Sequence, residues 1–150
     1  MFKITSLDGL ESQTGSIERG HLPNTEVLSH FCASEAWTGN LRNGLIRLGE
    51  LTTDMHGLKE SECGLLTLIR CYDPEDRHQL LNILEQATTR NSSFCYSTMI
   101  HLGNEIRRPV FCIGESTGLQ NSDMGKIHGV FIFPGFKLQG RGQDMKAALQ

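Results

Sequence analysis

The sequence has no closely spaced cysteine pair, no long hydrophobic run and no excess of basic charge, and each lack removes a class of protein. The five cysteines, Cys32, Cys63, Cys71, Cys95 and Cys112, are odd in number, widely separated and set among apolar neighbours. A zinc site favours pairs such as C-x-x-C, so no metal site is expected, and the thiols read as reduced and cytoplasmic. The apolar runs are too short for a membrane span, and Met1 to Asp8 has neither the apolar core nor the basic start of a secretory leader. With 14 basic against 17 acidic residues and a net charge of -3, nothing offers an electrostatic footprint to nucleic acid. The G-x-S-x-G elbow, the phosphate-binding G-x-x-x-x-G-K-[ST], H-E-x-x-H and G-x-G-x-x-G are all missing, and with them the usual pointers to an enzyme. Glu75 and Asp76 are acidic neighbours, but they suit the positive end of a helix dipole better than acid and base work.

What is there suits one folded domain: 150 residues, 38% hydrophobic and 21% charged. Residues 1–22 mix Gly, Ser, Gln and charge with scattered apolar positions and read as an arm. From Pro23 the spacing of Val27, Leu28, Phe31 and Cys32 predicts an amphipathic helix over 23–34. Two strands, Glu35 to Leu41 and Leu45 to Leu48, are joined through Asn43-Gly44, a strong hairpin signal. Leu51, Met55 and Leu58 mark a short helix stopped by Gly57, and residues 60–71 suggest one or two helical turns. Asp73 as N-cap and Pro74 at the first position open a helix to Ala87 whose stripe is Leu80, Leu81, Leu84 and Ala87. Three strands follow, Phe94 to Leu102, Arg107 to Glu115 and Ile127 to Phe133, with a turn at Gly103-Asn104. Residues 135–150 form a tail. The predicted fold class is α+β: a five-stranded antiparallel sheet with short helices on one face and an N-terminal amphipathic helix, its central domain spanning 35–134.

Four landmarks in this order resemble the PAS family, in its bacterial branch that opens on a Trp strand. They are Trp37 with Gly39 and Asn40, Met55-His56-Gly57-Leu58, Asp73-Pro74-Glu75-Asp76-Arg77, and Gly129-Val130. The resemblance covers about residues 35–133. It departs at Asp73, where the family commonly has His, and at Ile132-Phe133-Pro134-Gly135, where the family commonly has Asp-Ile-Thr. Pro134 lacks an amide donor, so the last strand should end there instead of leading into an output helix.

The resemblance implies a ligand site between the concave sheet face and the short helices. Alternation places Tyr96, Thr98, Val110, Cys112 and Phe131 on that face, closed by Ile46, Met55, Leu66 and Ile69. The bland alternative is that these side chains fill a core. No cofactor is identified. Haem would call for an axial histidine on the long helix, where His78 sits early and among polar residues, and His101 and His128 fall on the opposite sheet face. A photoactive flavin relative would need Asn and Arg around its cysteine, which Ser61-Glu62-Cys63-Gly64-Leu65 lacks.

Phe111, Ile113, Val130 and Ile132 make the outward sheet face apolar, so it requires cover. Val27, Leu28, Phe31 and Cys32 supply it, either from the same chain or across a homodimer. The expected function is a non-catalytic, cytoplasmic PAS module of bacterial signal transduction, working through ligand occupancy and dimer contacts. Its partner is a signalling protein or an output domain such as that of a histidine kinase or a cyclic-dinucleotide enzyme. The alternative is a haem or flavin sensor of redox state or gas.

Overall fold

The computed structural model describes residues 29–119 and 125–135, so Val27, Leu28 and both predicted terminal segments lie outside the described residues. The described residues form six antiparallel strands, the long ones on alternating inward and outward positions: β1 (Cys32–Asn40), β2 (Leu45–Arg47), β3 (Glu62–Gly64), β4 (Ser92–Leu102), β5 (Ile106–Ser116) and β6 (Lys126–Pro134). They form one sheet in the order β3-β2-β1-β6-β5-β4, which sets the first and last long pieces of the domain side by side at its centre. Among the described residues, helices α1 (Glu50–Met55), α2 (Leu65–Arg70) and α3 (Arg77–Thr89) lie between the strands. Their apolar sides bury Leu68, Ile69, Leu80, Ile83, Leu84 and Ala87 against the inward side chains of the sheet, in one continuous core. No helix among the described residues is long and apolar enough to cross a membrane.

The α+β architecture and the strand positions agree with expectation, and Pro134 does close the last strand. Gly44 and Gly57, at φ of 68° and 66°, occupy the left-handed region that the hairpin and the stop of α1 require.

Four expectations need correction. The sheet has six strands, because β3 adds to the hairpin through the pairs Leu45↔Gly64, Ile46↔Cys63 and Arg47↔Glu62. A three-residue strand leaves no periodic trace beside the leucines that follow it. The predicted helix over 23–34 is helical at Ser29 to Phe31 but gives way to β1 at Cys32, since Cys32, Ala33 and Ser34 pair with Pro134, Phe133 and Ile132. The long helix starts at Arg77, not at Pro74. Asp73 caps no helix: its carboxylate accepts the Glu75 amide at 3.1 Å in a turn that follows the Tyr72↔Ile100 bridge. Finally, Leu81 is 40% exposed and Ile83 takes its place in the buried stripe, because the helix phase is set by its packing on β4 and β5.

Candidate functional site: a filled concave face

β1, β4, β5 and β6 turn Trp37, Phe94, Cys112, Val110, Phe131 and Phe133 inward, and all are buried. Onto them α1 lowers His56, and the link from α2 to α3 lowers Tyr72. The position of α1 is fixed from the sheet: Glu35, on the same side of β1 as Trp37, accepts the Thr52 amide at 2.6 Å and the Leu51 amide at 3.4 Å. A carboxylate so placed satisfies amides at a helix start and complements its dipole. Burial works to raise the Glu35 pKa, but the bonds from Thr52 and Leu51 outweigh it and hold the carboxyl below its ordinary value.

His56 is 3% exposed and both ring nitrogens are engaged. Nδ1 lies 2.8 Å from the Thr52 carbonyl oxygen and Nε2 lies 3.0 Å from the Tyr72 hydroxyl. A carbonyl only accepts, so Nδ1 carries the proton, Nε2 accepts, and the Tyr72 O–H donates. The Tyr72 oxygen lies 3.5 Å from that of Tyr96, which must then be the donor of that weaker contact. Burial holds the His56 pKa down at about 4, so the ring is neutral in this setting. Burial likewise pushes both tyrosines well above their ordinary value and Cys112 up to about 12. Phe131 and Phe133 meet the imidazole edgewise, with centroids 5.2 and 6.0 Å away. The site is thus a neutral polar chain inside an aromatic box. Two buried polar groups stand outside the chain. The Trp37 indole N–H has only a weak polar contact with the Cys112 sulfur, and the Thr52 hydroxyl only a weak one with the Glu35 carboxylate.

Of the residues expected here, Ile46, Ile69, Thr98, Val110, Cys112 and Phe131 are buried on the inner side, and Met55 and Tyr96 pack against that core. Leu66 is not among them. It is 59% exposed, because α2 turns Leu68 and Ile69 inward and leaves Leu66 on its far side. His56 and Tyr72 were missed as site residues. The one signal for His56 was its place four residues after Thr52, just before the Gly57 stop, on the face that α1 turns inward. Thr98 donates from its hydroxyl to Asp76 at 2.6 Å, tying β4 to the start of α3.

The residues do not fit a haem held from the long helix. His78 is exposed on α3, and His56 has both nitrogens occupied by protein. Cys63 lies in β3 with its thiol raised by burial, the opposite of an activated sulfur. Among the described residues no three His, Cys, Asp or Glu side chains gather to hold a metal.

The outer face is different. Phe111 sits opposite Ile132 and Ile113 opposite Val130, and Phe111, Ile113 and Val130 are each more than a third exposed. A shallow groove of about 320 Å³ runs beside Phe111 and Ile113, bounded by Cys95, Ser97 and Ile132. His128 is exposed there, as expected, 3.8 Å from Glu115, whereas His101 is half-buried, 3.4 Å from the Asp73 carboxylate.

No family model matches the chain, and no curated protein does. Among solved structures, the crystal structure of a sensory box histidine kinase/response regulator from Burkholderia thailandensis is similar, with a TM-score of 0.55 at 17% identity over 83% of this chain and 91% of that one. Likeness at that identity concerns the fold, and the fold is PAS-like.

Proposed function

We propose that the chain is a non-catalytic sensory and protein-interaction module of bacterial signal transduction, working in the cytoplasm. The observation that carries this reading is the contrast between the two sheet faces. One is a filled, neutral core, and the other presents paired apolar side chains to solvent. Monomeric soluble proteins seldom leave such a patch uncovered unless it meets a partner. The similar structure comes from a protein described as a sensory box histidine kinase/response regulator, and its fold supports the same reading.

A ligand entering the concave side must displace part of the aromatic box. The Trp37 N–H and the Thr52 hydroxyl, both buried and held only by weak polar contacts, are then the groups that gain hydrogen bonds from it. Occupancy would be felt by α1, which is held to β1 through Glu35. The test is an absorption spectrum of the freshly purified protein, followed by native mass spectrometry. A colourless protein that carries or takes up a small organic molecule is expected. A haem or flavin band would overturn the reading in favour of a redox or gas sensor.

A further inference from the structure

The two edges of the sheet are unequal. β3 ends one side with 3 residues, whereas β4 closes the other with 11. An edge strand turns every second N–H and C=O away from its neighbour, and long ones are commonly protected by charge, proline or a covering segment. β4 contains no Lys, Arg, Asp, Glu or Pro. Its cover is partial: near its end Tyr72 bridges Ile100, with the Asp73 amide donating to the Met99 carbonyl at 3.0 Å and the His101 amide to the Cys71 carbonyl at 2.7 Å.

Those two bonds fix which groups look outward. The β4–β5 register runs without a break from Ser92↔Ser116 to Leu102↔Ile106, so the alternation set by Met99 and His101 holds along the strand. The main-chain N–H and C=O of Ser93 and Ser97 therefore face the edge, and neither residue pairs with a further strand among the described residues. The cover stops because Asp73 spends its carbonyl on a turn, accepting the Asp76 amide at 3.0 Å, and the chain then leaves the edge for α3.

A cavity of about 340 Å³ opens where that cover stops. On the inner side Asp76 lines it, its carboxylate accepting the Thr98 hydroxyl at 2.6 Å and making no ion pair among the described residues. On the outer side it is lined by Met99, Pro109 and Phe111, the last 45% exposed. A strand laid along this edge would meet an acid on one face and hydrocarbon on the other, because its successive residues point to opposite faces. The strand that fits alternates a cation with an apolar side chain. β4 holds no Lys or Arg, so a second copy of β4 does not supply that cation.

We propose that the β4 edge takes up an extended basic segment of a partner protein by strand addition, antiparallel to β4, with main-chain bonds at Ser93 and Ser97 and a Lys or Arg beside Asp76. This deepens the interaction reading above by naming the chemistry of the partner. It is read from peptide binding alone, so its failure would leave the sensor reading to its own spectroscopic test.

The probe is an acetylated, amidated heptapeptide of alternating Val and Lys, titrated by NMR into the isotope-labelled full chain. Saturable shifts are expected at Ser93 and Ser97, and hydrogen exchange of their amides should slow about tenfold, while those of Phe94 and Thr98, which face β5, change little. With the lysines on the Asp76 side, the valine amides face β4 and the lysine amides face away. N-methylation of the valines should therefore abolish binding, and N-methylation of the lysines should leave it intact. Asp76→Asn keeps an acceptor for Thr98 and should weaken binding about threefold at low salt. Ser97→Pro removes one outward N–H at a place where edge strands tolerate proline, and should weaken binding about fivefold with an unchanged circular dichroism spectrum. Four outcomes would overturn the proposal: no saturable binding, Ser93 and Ser97 amides already protected in the free chain, equal binding of the two methylated peptides, or indifference to both variants.

Discussion

His56 Nε2 lies 3.0 Å from the Tyr72 hydroxyl, and because Nδ1 is committed to the Thr52 carbonyl, the imidazole is held as a neutral hydrogen-bond acceptor. No carboxylate is among its hydrogen-bond or ring partners, which are Thr52, Tyr72, Phe131 and Phe133. A proton added to this ring would be a buried charge without a counter-charge, which is strongly unfavourable. The fold thus disfavours imidazolium, and stability must depend on pH.

The sign follows from the direction of the shift. The unfolded chain binds a proton at this residue near its ordinary 6.5, the folded chain only near 4, so between those values the unfolded state holds more protons. Stability is complete above about pH 7 and falls as the pH drops toward 4. At pH 5 the loss from this group is roughly 2 kcal/mol. Urea midpoints at pH 7 and pH 5 measure it. His56→Gln should be less stable at pH 7 yet lose less between the two values, and an equal loss in both proteins would assign the pH dependence elsewhere.

Glu35 should act in the same direction but at lower pH. Its carboxyl is held below the ordinary value by the amides of α1, so its contribution is present above about pH 4 and is lost as the pH falls through the folded value. Glu35→Ala should cost about 1 kcal/mol at pH 7, the typical value of a lost helix cap. Hydrogen exchange should place the effect on residues 50–55. An exchange change spread evenly over the sheet would contradict a local role.

The strands and the α+β class were legible because β4, β5 and β6 are long and alternate cleanly, with Phe94, Val110, Cys112 and Phe131 marking the inner side. Two kinds of feature were not. β3 is three residues long and exists only through its pairing with β2, so no pattern within it announces a strand. The start of α3 was misplaced because Asp73 and Pro74 satisfy capping rules locally, while the bonds of Asp73 N to Met99 O and His101 N to Cys71 O hold that stretch against β4. The site was half visible for the same reason. Alternation gives which strand residues point inward, but only the tertiary fold brings His56 and Tyr72 to the same spot.

Gly114 is a place where packing leaves room for nothing more. It sits opposite Phe94 across the β4–β5 ladder, and a Cβ there would strike the Phe94 ring and come within 3.0 Å of the His128 carbonyl oxygen. Gly114→Ala should therefore destabilise by about 1–3 kcal/mol, the usual cost of overpacking. Phe94→Leu should make the second change milder. A double-mutant cycle by chemical denaturation checks this, with a coupling near zero counting against the close approach of ring and glycine.

The β4–β5 turn offers the reverse case, a substitution that should stabilise. Asn104 and Glu105 both have positive φ, at 51° and 62°, and of the two only asparagine tolerates that region readily. A residue with a Cβ loses about 1–2 kcal/mol in the left-handed region, while introducing glycine costs roughly 0.5–1 kcal/mol in chain entropy. The first quantity is the larger, so Glu105→Gly should gain about 0.5–1 kcal/mol. The carboxyl of Glu105 is exposed and forms none of the ion pairs of the described residues, so little is lost with it. A raised melting temperature is the expected readout. A lowered one would mean that the turn relaxes to negative φ in solution, since only then would glycine bring its entropy cost and no relief.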